Sequence, residues 1–263
     1  RDSSSTFDTT GTLARTVADS AYVFGCADTK WGDPMMLLEA IETTTLDGVR
    51  VAIPTCRIWE DCQSDVARVQ LTAVADLGVA GATLDRPAGT LLDDAYDHYM
   101  NGGIGKAEIA AWLASELPDW VDRLHPTVGA RIANPLSLEG EAYREAIAKH
   151  RHLAALADTL FDGADVLALP ANLITPPPVA DLADDLGRYK EVNFATLRPT
   201  CPINMLGLTS ISIPVGLDDA GMPVGLQLVA RADEDETLLG IALAAERVLG
   251  TATERLGTPP LLV

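Results

Sequence analysis

The sequence predicts an α/β fold: a mixed, mostly parallel sheet flanked by helices. Three observations lead there. Strand-like runs alternate with long stretches of helical periodicity, the pattern of parallel strands joined by crossover helices. Near the C-terminus two alternating runs flank a short turn, which adds an antiparallel hairpin. Finally, 48% of the 263 residues are apolar but only 5% are aromatic, so a sizeable core is filled by Ala, Leu, Val and Ile.

The first element is FDTTGTLARTVADS, residues 7–20. A turn at Asp8, Thr9, Thr10 and Gly11 leads into a helix over 16–27, where Val17, Ala21 and Phe24 share a face. Asp8 and Arg15 flank this junction, where a carboxylate can accept from backbone amides and a base can pair with it. LDGVRVAIP, 46–54, reads as a strand that Asp47-Gly48 turns in and Pro54 ends. SDVARVQLTAVADLGVAG, 64–81, is predicted helical, with Ser64 as N-cap and Gly78 or Gly81 as stop. GATLDRP, 81–87, is a second strand, completing a right-handed parallel crossover.

Residues 88–138 hold helical stretches at 91–99 and 106–117, a break at Asn101-Gly102-Gly103, and then Pro118, Pro126 and Pro135. Such a segment runs over a surface and suits variable substrate recognition. A long helix is expected over 139–161, a third, buried strand at DVLALP, 165–170, and a loop at 175–187. TSISIPVG (209–216), the turn LDDAG and MPVGLQLVAR (222–231) form the hairpin, and a last helix over 233–250 carries acids in its first turn. Gly225 stands in mid-strand, which costs stability unless backbone must approach closely there. Thr200 and Asn204 lie in polar RPTCPIN just before the hairpin; they either face a pocket or tether a loop.

Composition narrows the function. With 38 acids against 19 bases, the formal net charge is −19. That surface repels phosphate backbones and anionic headgroups, so neither nucleic acid nor a membrane is an expected partner. No apolar run reaches the ~18 residues of a membrane span, and the N-terminus has no signal-peptide pattern. The four cysteines fit no metal spacing and read as thiols of a reducing, cytoplasmic protein. No metal or cofactor is expected. Asn101 to Lys106 is glycine-rich but lacks the preceding strand and following Ser or Thr of a phosphate loop. His150 and His152 point apart on their helix, and no G-x-S-x-G elbow exists.

Taken together, five segments resemble the amidase signature family, in that family's order. FDTTGTLARTVADS is similar to its S-x-D-x-x-G-P-x-A-R-T-V-A-D, with Thr6 for Ser and Thr12 for Pro. LDGVRVAIP, DVLALP, RPTCPINMLGLTSISIPVG and GMPVGLQLVAR resemble four later family segments. The resemblance makes residues 1–263 the C-terminal portion of a single amidase domain. It implies hydrolysis of the C–N bond of a small amide or urea by a serine, a second serine and a lysine. In the family these lie ahead of the Asp-containing segment, so no catalytic residue is assigned within this chain. Ser3, Ser4 and Ser5 have no glycine-rich surroundings and no preceding lysine. The resemblance places Arg131, Thr200 and Asn204 at the substrate, and Asp8, Arg15 and Asp19 in support of the nucleophile-bearing segment. Leu197 replaces the acid of glutamine-using members, which argues for a simple amide substrate. The N-terminal half or a partner chain, and a homo-oligomer, are expected. The alternative is a non-catalytic homologue serving in binding or assembly, since an open half-sheet calls for a partner.

Overall fold

The computed structural model describes residues 3–257, except for the side chains of residues 130 and 131. Thr16 caps α1 (Val17–Ala27) by accepting from the Asp19 amide at 3.1 Å. Asp33, followed by Pro34 at the first helical position, starts α2 (Pro34–Glu42). Strand β1 is only Arg50–Ala52, shorter than its sequence run, because a turn occupies 46–48 ahead of it. The short α3 (Arg57–Glu60) precedes α4 (Ser64–Val79), for which Gln63, not Ser64, is the N-cap residue. β2 (Thr83–Asp85) pairs parallel with β1.

The variable segment folds as α5 (Thr90–Gly102) and α6 (Ile104–Glu116). Gly103 joins them at φ 68°, a left-handed conformation that favours glycine. A 3-10 turn (Pro118–Arg123) and α7 (Pro126–Ile132) follow. The expected long helix ends early: α8 is Glu141–Ala155, and Ala157–Phe161 tightens to 3-10. β3 (Val166–Pro170) is buried along its whole length. The expected loop contains α9 (Ala180–Ala183), and two helices that the periodicity did not predict follow, α10 (Leu186–Leu197) and α11 (Cys201–Met205). The chain closes with β4 (Thr209–Leu217), β5 (Pro223–Ala230), α12 (Asp235–Leu249) and α13 (Ala252–Leu256).

The strand order is β2-β1-β3-β5-β4. β1 is parallel to both β2 and β3, and β5 is antiparallel to both β3 and β4. Four strands therefore point one way and β5 alone runs against them, a mixed sheet as the sequence predicts. Alternation along β3 divides the core. Val166 and Ala168 pack with α1, α2, α4 and α12, whereas Leu167 and Leu169 pack with α3, α5, α8 and α11. Gly225 meets the close approach anticipated for it: a Cβ there would lie 3.0 Å from the Ala171 Cβ. Beside it, fully buried Gln70 donates from Nε2 to the Asn172 and Gly225 carbonyls, each at 2.9 Å.

Candidate active site

An open cleft of about 1730 Å³ lies beside the outer strand of the sheet. Its lining includes Ser210 and Ser212 of β4, both exposed, and Gln227 of β5, which is opposite Ser212 in register. Gln227 is 2% exposed, and its Oε1 has no hydrogen-bond partner among the described residues. A buried acceptor is costly unless a donor reaches it, which marks Gln227 as a polar group in the cleft lining. Residues 7–17, α10 and α11 contribute the walls.

The N-terminal segment is fixed by two carboxylates. Asp8 Oδ2 accepts from the Ser3 amide at 2.6 Å, the Ser3 hydroxyl at 2.9 Å and the Ser4 amide at 3.1 Å. The Ser4 amide, then Ser3, hold the Asp8 carboxyl below its ordinary range. Glu108, reaching over from α6, takes the Ser4 hydroxyl at 2.5 Å, the Thr6 amide at 3.1 Å and the Thr6 hydroxyl at 2.5 Å. The Tyr143 hydroxyl of α8 donates to it at 2.6 Å. Burial is the largest single influence on Glu108 and pushes its pKa up, yet these four bonds outweigh it and the net shift is downward. Tyr143 is pushed up to about 12 by burial and by its bond to Glu108.

Phe7 follows. Its ring meets His150 edge-on at 5.4 Å, and its carbonyl accepts from Asn204 Nδ2 at 2.9 Å. Burial lowers the pKa of both His150 and neighbouring His98, whose Nε2 lies 2.8 Å from the Ala146 carbonyl. Among the described residues neither Ser3 nor Ser4 is bonded to a lysine or histidine, and carboxylates held below their ordinary range are weak proton acceptors.

The sequence-derived residues fare unequally. Asp8, Arg15, Thr200 and Asn204 all line the cleft. Asn204 both faces it and tethers Phe7, so the two readings of this side chain coexist. Thr200 is exposed and donates to the Leu197 carbonyl at 3.3 Å. Arg15 is exposed and makes no ion pair among the described residues. Asp19 stands outside the lining, its amide engaged by Thr16. Arg131 belongs to α7, whose Thr127, Val128 and Ile132 reach the cleft; its own side chain lies outside the described residues.

Sequence reasoning missed Glu108 and Gln227. Each interrupts an apolar pattern: Glu108 shares the buried face of Ile104, Ala107 and Leu113, and Gln227 lies between buried Leu226 and Leu228. Among the described residues no group of three His, Cys, Asp or Glu is placed to hold a metal ion. No helix among them is long and apolar enough to cross a membrane.

Solved structures share this architecture. A crystal structure of an amidase superposes with a TM-score of 0.73 at 24% identity, covering 91% of this chain and 52% of that one. 6-Aminohexanoate cyclic dimer hydrolase superposes with a TM-score of 0.69 at 21% identity over 93% of this chain and 56% of that one. The chain belongs to the amidase family, whose model matches residues 2–239. The 2-amino-5-chloromuconic acid deaminase of Comamonas testosteroni is 35% identical over 98% of this chain and 55% of its own. A glutamyl-tRNA(Gln) amidotransferase polypeptide from Chlorobaculum parvum is 25% identical over 94% of this chain and 57% of its own. The chain thus spans about half the length of these two relatives.

Proposed function

We propose that this chain forms the substrate-facing rear of a hydrolase that cleaves the C–N bond of a small amide or urea-like molecule. The serine nucleophile, bridging serine and lysine base come from the portion of the relatives that this chain does not match. The supporting observation is convergence. Three separate family-like segments, 7–20, 198–216 and 222–231, meet around a single cleft. Within it, Thr200 and Asn204 contact substrate, joined by Arg131, while Asp8, Arg15 and Asp19 support the segment beside the nucleophile. The remaining half, or a partner chain, covers β4 and the cleft in a cytoplasmic homo-oligomer.

A narrower substrate class is favoured by charge. In a chain with 38 acids and 19 bases, three cleft bases, Arg15, Lys106 and Lys190, make no ion pair among the described residues. Such bases suit a substrate carrying a carboxylate, in keeping with the acid named for the Comamonas relative.

The test is complementation. The chain is purified alone and co-expressed with the unmatched N-terminal half of the Comamonas deaminase. Ammonia release is then measured from 2-amino-5-chloromuconic acid, an aliphatic amide and urea. Release from the assembly and none from the chain alone is the expected result. An assembly that forms yet releases nothing favours the non-catalytic reading, and release by the chain alone places the chemistry within these residues. Either outcome overturns the proposal.

A further inference from the structure

A densely bonded side chain just behind the cleft wall, on the helix that gives Lys106 and Ile109 to the lining, is one that the proposed reaction does not use. Glu108 is 7% exposed. Its two oxygens take four hydrogen bonds from Ser4, Thr6 and Tyr143. Ser4 and Thr6 are more than a hundred positions away in sequence, so the bonds are tertiary and join the N-terminal segment to α6 and α8. Hydroxyl bonds to an ionised carboxylate are charge-assisted, about twice as strong as neutral ones. Beyond these bonds the segment is held at its far end, where Phe7 packs on Tyr99 and His150 and its carbonyl accepts from Asn204. Ser5 is exposed, and residues 8–15 are exposed throughout. Among the described residues the Asp8 carboxylate bonds back to Ser3 and Ser4, within the segment.

We propose that Glu108 is a positioning residue: its carboxylate anchors residues 3–8 against α6 and α8 and thereby sets where the segment and Phe7 meet the cleft. The anchoring stands on the bonds described. Its importance for turnover rests on the amidase reading. Asp8 organises the segment internally, Glu108 docks it, and Asn204 holds its far end through the Phe7 carbonyl.

Three kinds of group could share this work under acid. Tyr143, His150 and Arg151 face Glu108 or its partners from α8, and His98 acts on His150 from α5. Because Glu108 is held below its ordinary range, the anchor is complete above the usual glutamate pKa. It is lost as pH falls through the depressed value.

Amide hydrogen exchange on the whole chain tests the anchor without any activity. Glu108→Gln supplies an NH2 group where donors already crowd. At neutral pH it is expected to speed exchange in residues 3–8 on the order of 10- to 100-fold, with β5 unchanged. The wild type, corrected for intrinsic rates, is expected to open the same residues at acid pH. Glu108→Gln is open at every pH, and His150→Gln keeps the acid step. Unchanged exchange of residues 3–8 in Glu108→Gln, equal acceleration in β5, or loss of the acid step in His150→Gln overturns the proposal. In the complemented enzyme, Glu108→Gln is expected to lower kcat with little change in KM, whereas an unchanged kcat overturns the positioning role in turnover. An assembly inactive with wild-type Glu108 sinks the amidase reading and leaves the anchor to the exchange result.

Discussion

Glu246 sits on α12 with its carboxylate under the first amide of α1, its oxygens 3.1 and 3.2 Å from the Val17 nitrogen. A negative charge at a helix N-terminus is favourable. Burial nevertheless dominates and raises the Glu246 pKa above its ordinary value. The sign follows. A group whose folded pKa is raised contributes fully below its unfolded pKa, and that contribution is lost as pH rises through the folded value. Glu246→Gln keeps an acceptor for Val17 and removes the buried charge. It is expected to raise Tm at pH 7 and to have a smaller effect near pH 4, read by thermal unfolding at both pH values. Residues of this kind are hard to read in a sequence. Glu108, Gln227 and Gln70 each appear as an error in an apolar pattern, and nothing local reveals which distant donor or acceptor meets them. Gly225 is legible because a glycine in mid-strand has a local cost that only a close neighbour offsets. Asp8 is legible because turn chemistry is local, and Asn204 is legible only as two open possibilities.

At the scale of elements, Gln70 ties three of them together. It leaves α4 to satisfy carbonyls at the end of β3 and within β5. Gln70→Leu fills similar space but takes a donor from both carbonyls. Gly225 keeps the Ala171 amide at 3.1 Å and Asn172 keeps the weak Cys62 thiol contact at 4.0 Å, so the cost is about 1–3 kcal/mol in all. A lower urea midpoint with an unchanged m-value is the expected result. The long helices α4 and α12 are readable because burial imposes a period on them, and β3 because it is buried as one continuous apolar run. α10 is not, since none of its twelve residues is buried and its apolar positions follow no stripe. Its start is held by Asp185, which accepts from the Arg188 amide at 2.9 Å. α2 has a readable Asp33-Pro34 start, but its apolar run is short and nearly uniform, so periodicity alone does not mark it as a helix.

The whole molecule is organised by where β5 lies. It is the last strand in sequence, yet it sits between β3 and β4 and supplies the hydrogen-bonding edge for both. A chain ended after Gly221 loses β5 and α12, exposing one edge of β3 and the apolar face that α12 covers. It is expected to be insoluble or to lose a cooperative unfolding transition, checked by sedimentation and by urea titration of any soluble fraction. The same placement governs synthesis. Until β5 has been made, β3 keeps one open edge beyond its pairing with β1, and β4 has no neighbour to join. The nascent chain must keep these open edges from other chains until β5 pairs with both strands, so the slow step of assembly is a non-local one.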